Sequence, residues 1–317
     1  MGGIAWSPGS NRASGGTQLM GRWLEERLPA ELLDHFQIHM SQREPEEPGK
    51  IQILWCHLHH LAVESTDLAN GGWRRFHRIV FVSNWQAQGF INHFGIPWSR
   101  CVVMHNAIEP LTVGDDRFEP IPADRPIRLV YTSVPERGLA ILYHAFKKIA
   151  EERDDVELEV FSSFRLYGWE DGVYQQLFDA LQQVPRVTYH GAVSNEQTRK
   201  ALVNSHIHAF PSIKMETGCL ALIEAMSAGL ACVHSNFGGL FETAAGLTLM
   251  YQYQEDPTGH TVVFYDMLKK AINAVRAGDP RLRSRLAAQK SYADAHYNWQ
   301  LRASQWESFL RGLIRGR

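Results

Sequence analysis

The stretch FPSIKMETGCLALIEAMSAGLACVHSNFGG, residues 210–239, carries two carboxylates, Glu216 and Glu224, separated by seven residues inside an otherwise apolar run. Burying an ionised carboxylate is unfavourable unless it is paired or hydrogen-bonded, so two of them here imply polar partners. Hydroxyl groups of a ligand are suitable partners. Strand-like IHAFPS ends at Pro211 and Ser212, Glu216 falls in the loop that follows, and Thr217 and Gly218 precede the helix CLALIEAMSAG. The free N–H groups at the start of such a helix form an anion site. Glu224 is expected about two turns inside it, among Leu222, Ile223, Ala225 and Met226.

Other residues with chemical potential follow strand-like or glycine-rich segments. WCHLHHLAVES holds His57, His59 and His60 after a strand ending near Trp55. Adjacent His59 and His60 cannot readily aim at one ion from a strand or helix, and no Cys or carboxylate is spaced to complete a shell, so no metal site is expected. Arg137 precedes Gly138 after the strand IRLVYTS and can pair with a phosphate, even bidentately; a solvated surface role is the alternative. Gly15 and Gly16 feed a helix with Leu19, Trp23, Leu24 and Leu28 on one face, closed by Pro29. Backbone N–H groups there could meet an anion, but an ordinary loop-to-helix turn reads equally well. Trp85 reads as a packing residue, Asn106 as a hinge or turn residue, and EERDD at 151–155 as a solvated helix end.

These residues need a scaffold. At 317 residues the chain suggests two domains, at roughly 150 residues each. A composition of 44% hydrophobic and 21% charged residues argues for a folded globular protein rather than disorder. A net charge of -2 provides no basic field for a nucleic-acid backbone, so nucleic acid is not an expected partner. The four cysteines lie far apart without C-x-x-C spacing and read as reduced thiols. With neither a signal-peptide order of residues nor an apolar run of about 18, a cytoplasmic protein is expected, peripheral contact with the membrane being left open.

Short apolar runs alternate with longer amphipathic ones, the pattern of strands and helices around parallel sheets. GIAW, IQILWC and RIVFVSN read as strands of a first α/β unit, residues 1–108. Residues 109–126, rich in proline and acids, read as a linker. A second series, 127–282, runs through IRLVYTS, VELEVFSS, VTYHG, IHAFPS and LACVHS with helices between them, a doubly wound pattern. The last segment, 283–317, reads as helical. In open parallel sheets ligands bind beyond the carboxyl ends of strands, where Glu216 falls.

Taken together, these motifs resemble the retaining glycosyltransferases of the GT-B fold, in particular the large family 4 group (glycosyl transferases group 1). The E-x7-E stretch is the most specific match, followed by SNFGGLFE, similar to the family's Gly-Gly loop with its trailing acid, Glu242. VFVSNWQAQGFINHFGIPWSRCVVMHNAIEP is similar to the Ser-x-Trp segment and the Asn that ends the first domain, and VTYHGAVSNEQ to the strand, Gly191 and loop beneath the nucleotide base.

The resemblance implies two Rossmann-like doubly wound domains facing each other across a cleft, with the C-terminal helices crossing back to the first. It implies transfer of a sugar from a nucleoside-diphosphate donor to a glycan, lipid-linked or small-molecule acceptor, with retention and without a metal or other cofactor. Glu216, with the backbone of Thr217, Gly218, Cys219 and Leu220, would face the sugar and diphosphate; Glu224 would bind the ribose; Gly15 and Gly16 would meet the phosphates. His57, with His59 next, would face the donor sugar. The chain departs from the family at Thr132, where many members carry Arg, leaving Arg137 as the remaining cation of that pair and Lys214 as a candidate substitute. A sugar-nucleotide 2-epimerase on the same fold and a non-catalytic nucleotide-sugar binding protein remain the alternatives.

Overall fold

The computed structural model describes residues 3–6, 15–114 and 116–316, which form two compact units. The first contains the chain up to Ile108, Glu216–Leu220 and the chain from Tyr297 onward; the second contains Glu109–Met215 and Ala221–His296. Residues 109–126 thus belong with the second unit, and the helical C-terminal segment is divided between the two.

The first unit is a parallel sheet of β1 (Ile4–Ala5), β2 (Phe36–Met40), β3 (Ile51–Cys56), β4 (Arg78–Phe81) and β5 (Cys101–Val103), with its strands in chain order. Its helices are α1 (Gly16–Glu25), α2 (Ala30–Leu33), α3 (Asn84–Phe94) and, from the end of the chain, α11 (Trp299–Arg315). The α3 helix has both of its ends specified locally. Ser83 Oγ accepts from Gln86 N at the start, and Gly95 takes the left-handed conformation at the end, φ 65°. The core joins Trp55 of β3 to Trp306 of α11, ring centroids 4.8 Å apart.

Two strands of this sheet are not evident from the sequence pattern. In β2, FQIHM, polar Gln37 and His39 are buried with the apolar residues. The reason is lateral pairing: His39 Nε2 lies 2.7 Å from Gln52 Oε1 on the adjacent β3, so each satisfies the other. β5 has only three residues, too few to show a period.

In the second unit, β6 (Ile127–Thr132), β7 (Val156–Phe161), β8 (Val187–Tyr189), β9 (Ile207–Phe210), β10 (Ala231–Ser235) and β11 (Leu249–Tyr251) form a parallel sheet in the order β11-β10-β9-β6-β7-β8. Its helices are α4 (Leu139–Glu152), α5 (Gln175–Gln182), α6 (Asn195–Asn204), α7 (Leu220–Ser227), α8 (Leu240–Ala244), α9 (Pro257–Arg276) and α10 (Pro280–His296). β9 and β10 are buried at every position, as expected for central parallel strands. The order reverses between β6 and β9, which makes their carboxyl ends, at Thr132 and Phe210, the topological switch point of this sheet. Gly138 follows β6 with φ 107°, and a Cβ there would stand 2.1 Å from the Pro211 carbonyl oxygen, so only glycine lets the β6 and β9 loops approach this closely. Among the described residues no helix is long and apolar enough to cross a membrane.

Candidate active site

Within the first unit, buried Glu216 and Thr217 and half-buried Gly218 form a loop held at two points. Asn106 Nδ2 donates to the Gly218 carbonyl at 2.7 Å, and Thr217 Oγ1 donates to the His57 carbonyl at 2.8 Å. A Cβ on Gly218 would lie 3.0 Å from Val82 Cγ2 and 3.3 Å from Asn106 Nδ2, which explains glycine at this position. A Cβ on Gly16 would likewise come within 3.0 Å of Leu220 Cδ1, so the start of α1 lies against the same segment. Gly15 is the N-cap residue of α1, which has no side-chain cap and no acid in its first turn. Cys219 is buried beside Leu220, the first residue of α7.

His57 is held through its backbone. Its N–H donates to Ser41 Oγ at 2.9 Å, while Gln86 Nε2 donates to the flanking carbonyls of Cys56 and Leu58 at 3.1 and 2.7 Å. The imidazole rests on Trp55, ring centroids 4.8 Å apart. Burial pushes its pKa down to about 3, so the ring is neutral at physiological pH. His57 Nε2 is buried without a hydrogen-bond partner among the described residues. Such an atom suits a hydrogen bond to a neutral polar ligand group better than proton donation as an imidazolium.

The next loop residues, His59 and His60, do not join this arrangement. Ser65 Oγ donates to the His59 carbonyl at 3.1 Å, and the His60 ring lies near Trp85, Phe90 and His93. Trp85 is half-buried against His60. Among the described residues no group of three His, Cys, Asp or Glu side chains is arranged to hold a metal ion.

Within the second unit, Glu224 is the fifth residue of α7, one turn in rather than two, because the helix begins at Leu220. Its Oε1 accepts from Arg199 Nη1 at 3.1 Å and from Asn195 Nδ2 at 3.2 Å. Both partners lie on α6, four residues apart and therefore on one face. Arg199 also donates from Nη2 to the Glu109 carbonyl at 2.7 Å. Burial raises the Glu224 pKa, and the Arg199 charge opposes that shift without cancelling it.

At the switch point Thr132 Oγ1 shares a hydrogen bond with His208 Nε2 at 3.3 Å, and burial lowers the His208 pKa to about 3. A neutral pair therefore stands at the end of β6. Arg137 is half-buried in the short 3-10 turn Pro135–Arg137. Lys214 pairs with Glu136 at 3.0 Å across that turn, an exposed ion pair of small energetic weight. Gly191 adopts φ 68° after β8, next to His190, whose ring stacks on Phe161 with centroids 4.3 Å apart.

Sequence reasoning read Asn106 as a hinge or turn residue without its Gly218 partner, and missed the supporting residues Gln86, Asn195 and Arg199. A polar residue near the end of a strand or within a helix shows no local sign of a partner on a distant segment. Asn106 and Gly218, for example, are 112 positions apart.

A family model, Glycosyl transferases group 1, matches residues 115–287. A search of curated protein sequences finds no match to the chain. Among solved structures, a glycosyltransferase from Rickettsia africae is similar with a TM-score of 0.64 at 13% identity, over 96% of this chain and 83% of that one. A sucrose-phosphate synthase from Thermosynechococcus elongatus has a TM-score of 0.63 at 14% identity, over 95% and 79%. WaaG, a glycosyltransferase involved in lipopolysaccharide biosynthesis, has a TM-score of 0.60 at 15% identity, over 87% and 77%. At these identities the structures speak for the fold, while the family match extends over more than half of the sequence. With two parallel α/β sheets and that match, the chain belongs to the glycosyl transferases group 1 and is a glycosyltransferase of the GT-B fold.

Proposed function

We propose that the chain transfers a glycosyl group from a nucleoside-diphosphate sugar to a glycan or lipid-linked acceptor, with retention and without a metal. The observation that carries this reading is the loop Glu216–Gly218, whose buried carboxylate belongs to a backbone fixed by Asn106 and Thr217. A fixed loop keeps N–H dipoles and a carboxylate in position before the reaction, as electrostatic stabilisation of a departing diphosphate requires. Glu216 would accept from the sugar hydroxyls, and the N–H groups from Gly218 to Leu220 would face the diphosphate. The neutral His57 ring would contribute its buried Nε2 to a hydroxyl of the same sugar.

In the second unit, Glu224 would take the ribose hydroxyls while Arg199 and Asn195 orient its carboxylate. Arg137 would supply the positive charge that Thr132 cannot, with Lys214 divided between this task and Glu136. A retaining transfer needs no protein nucleophile if the leaving phosphate accepts the acceptor proton on the same face. The chain's own residues would then bind, orient and stabilise charge.

The test is a panel of UDP-, GDP-, ADP- and TDP-sugars read by thermal stabilisation and by nucleotide release. One donor should stabilise the protein, and its slow hydrolysis should yield a sugar of unchanged anomeric configuration, read by proton NMR. Release of the inverted anomer would overturn retention. Absence of stabilisation by every donor would overturn the assignment of the donor site.

A further inference from the structure

The residues between the two strand series form a wall of the second unit. Phe118 sits on Gly229, where a Cβ would approach its ring to 2.9 Å, and Pro120 sits on Gly278, where a Cβ would stand 3.1 Å away. Arg276 donates from Nη1 to the Pro122 carbonyl and from Nη2 to that of Arg125, at 3.1 and 3.0 Å. The segment is thus seated on two glycine turns and tied by a guanidinium. Beneath it lies a cavity of about 680 Å³, at the amino ends of β6 and β9 and therefore at the opposite edge of the sheet from Thr132 and Pro211.

Four arginines, Arg117, Arg125, Arg128 and Arg283, line this cavity together with three carboxylates, Asp116, Glu119 and Asp279. Arg117 anchors itself with Nη1 on the Val203 carbonyl at 3.1 Å, while its Nε and Nη2 are buried without a partner among the described residues. Arg283 pairs through Nη2 with Glu119 at 3.1 Å and leaves Nε in the same condition. The backbone N–H of Arg128 donates to His206 Nδ1 at 2.9 Å, so the neutral ring carries its proton on Nε2. Burial and the charges of Arg117, Arg128 and Arg276 keep His206 neutral, with its pKa near 4. Burial also lowers the Arg117 pKa, to about 10, which leaves the guanidinium charged at neutral pH.

Two unpaired N–H groups on a buried cation call for an anionic acceptor. The volume lies within the range of small-molecule pockets, and walls from Pro120, Leu282 and Leu286 would cover an apolar body. We infer that this cavity is a second ligand site, distinct from the proposed donor site, which binds a phosphate group carried by a small metabolite or free in solution. The Arg117 and Arg283 guanidinium groups, whose unpaired N–H groups are closed off from the cavity, would turn toward it to donate to the phosphate oxygens, and the metabolite body would lie under the proline-rich wall. The inference goes beyond the donor-site reading and does not depend on it.

The test is calorimetric titration of the full chain with glucose 6-phosphate, glycerol 3-phosphate and inorganic phosphate, beside UDP as the probe of the donor site. Arg117→Met and Arg283→Gln should each weaken phosphate binding at least tenfold and leave UDP binding unchanged. Glu224→Ala should do the reverse. Tighter binding of either ester than of inorganic phosphate would assign the site to a metabolite, and binding of inorganic phosphate alone to the free anion. Because Arg117 also anchors the wall, Arg283→Gln decides the question should Arg117→Met fail to fold. No binding of any phosphate by the wild type, or binding unaffected by Arg283→Gln, would overturn the inference. A failed donor site would show instead as lost UDP binding with phosphate binding intact.

Discussion

Asn106 donates from Nδ2 to the carbonyl of Gly218, and its own Oδ1 is buried without a partner among the described residues. The side chain therefore fixes the loop that carries Glu216 from one atom and presents an unused acceptor at the other. Replacing it with Ala leaves the Gly218 carbonyl unsatisfied, a loss of about 1–3 kcal/mol. We expect Asn106→Ala to lower the melting temperature and to weaken nucleotide-sugar binding. Asn106→Asp should be worse in both respects at neutral pH, because it buries a charge. Denaturant unfolding and donor titration of the two variants check this; equal donor affinity in wild type and Asn106→Ala would rule out the positioning role.

Glu224 gives a prediction with a pH sign. Its pKa in the folded protein lies above the ordinary value of 4.5, because burial outweighs Arg199. The folded state holds that proton more tightly than the unfolded chain, so the group favours folding in acid and loses this contribution as pH rises through its folded pKa. In Arg199→Met the opposing charge is gone and the carboxylate is harder to ionise. The melting temperature of Arg199→Met should therefore fall further below wild type at pH 8 than at pH 4. A deficit independent of pH would show that the pair does not govern Glu224 ionisation.

Histidine burial acts with the opposite sign. Burial lowers the pKa of His57 and His208 to about 3 and that of His206 and His234 to about 4, all from the ordinary 6.5. Their contribution to stability is complete above 6.5 and is lost as pH falls toward the folded values, because the unfolded chain takes up the protons first. Each such proton adds about 1.4 kcal/mol per pH unit to the slope. Unfolding free energy should thus decline between pH 6.5 and 4, and His57→Gln should reduce the slope by about one proton. Denaturant titrations at several pH values measure it directly.

Gly138→Ala tests the switch point. It combines a φ of 107° with a Cβ 2.1 Å from the Pro211 carbonyl oxygen. Strain and overlap together should cost about 2 kcal/mol or more, since the β6 and β9 loops would have to separate. The variant should also lose donor affinity through the displaced Arg137 and Lys214 loops. Unchanged melting and donor binding would contradict this account of the glycine.

The parts of the architecture legible in the sequence were those with strong local signals. Apolar runs such as IRLVYTS and IHAFPS marked central strands, and the E-x7-E stretch located the Glu216 loop and α7. β2 was hidden because His39 and Gln52 satisfy each other inside the sheet, which breaks the apolar pattern without harming the fold. The supports of the site were hidden for a different reason. Asn106, Gln86 and Arg199 act through partners on other segments, and no periodicity reports a contact made only after folding. Residue types near strand ends could suggest ligand chemistry, but not which neutral or ionic pair occupies a given position, as Thr132 with His208 illustrates.

The strand order of the first sheet has a consequence for how the chain folds during synthesis. Strands that pair in chain order can dock one after another as they leave the ribosome, each closing a comparatively short loop. The face around Trp55, however, awaits Trp306, which is made only after the whole second sheet. The sheet that carries Trp55 is therefore synthesised before the second sheet yet completed after it, and until then it presents tryptophan-lined apolar surface. Nascent chains arrested before Trp299 should accordingly engage holdase chaperones through the strands β1–β5, and supplying α11 in trans should release them.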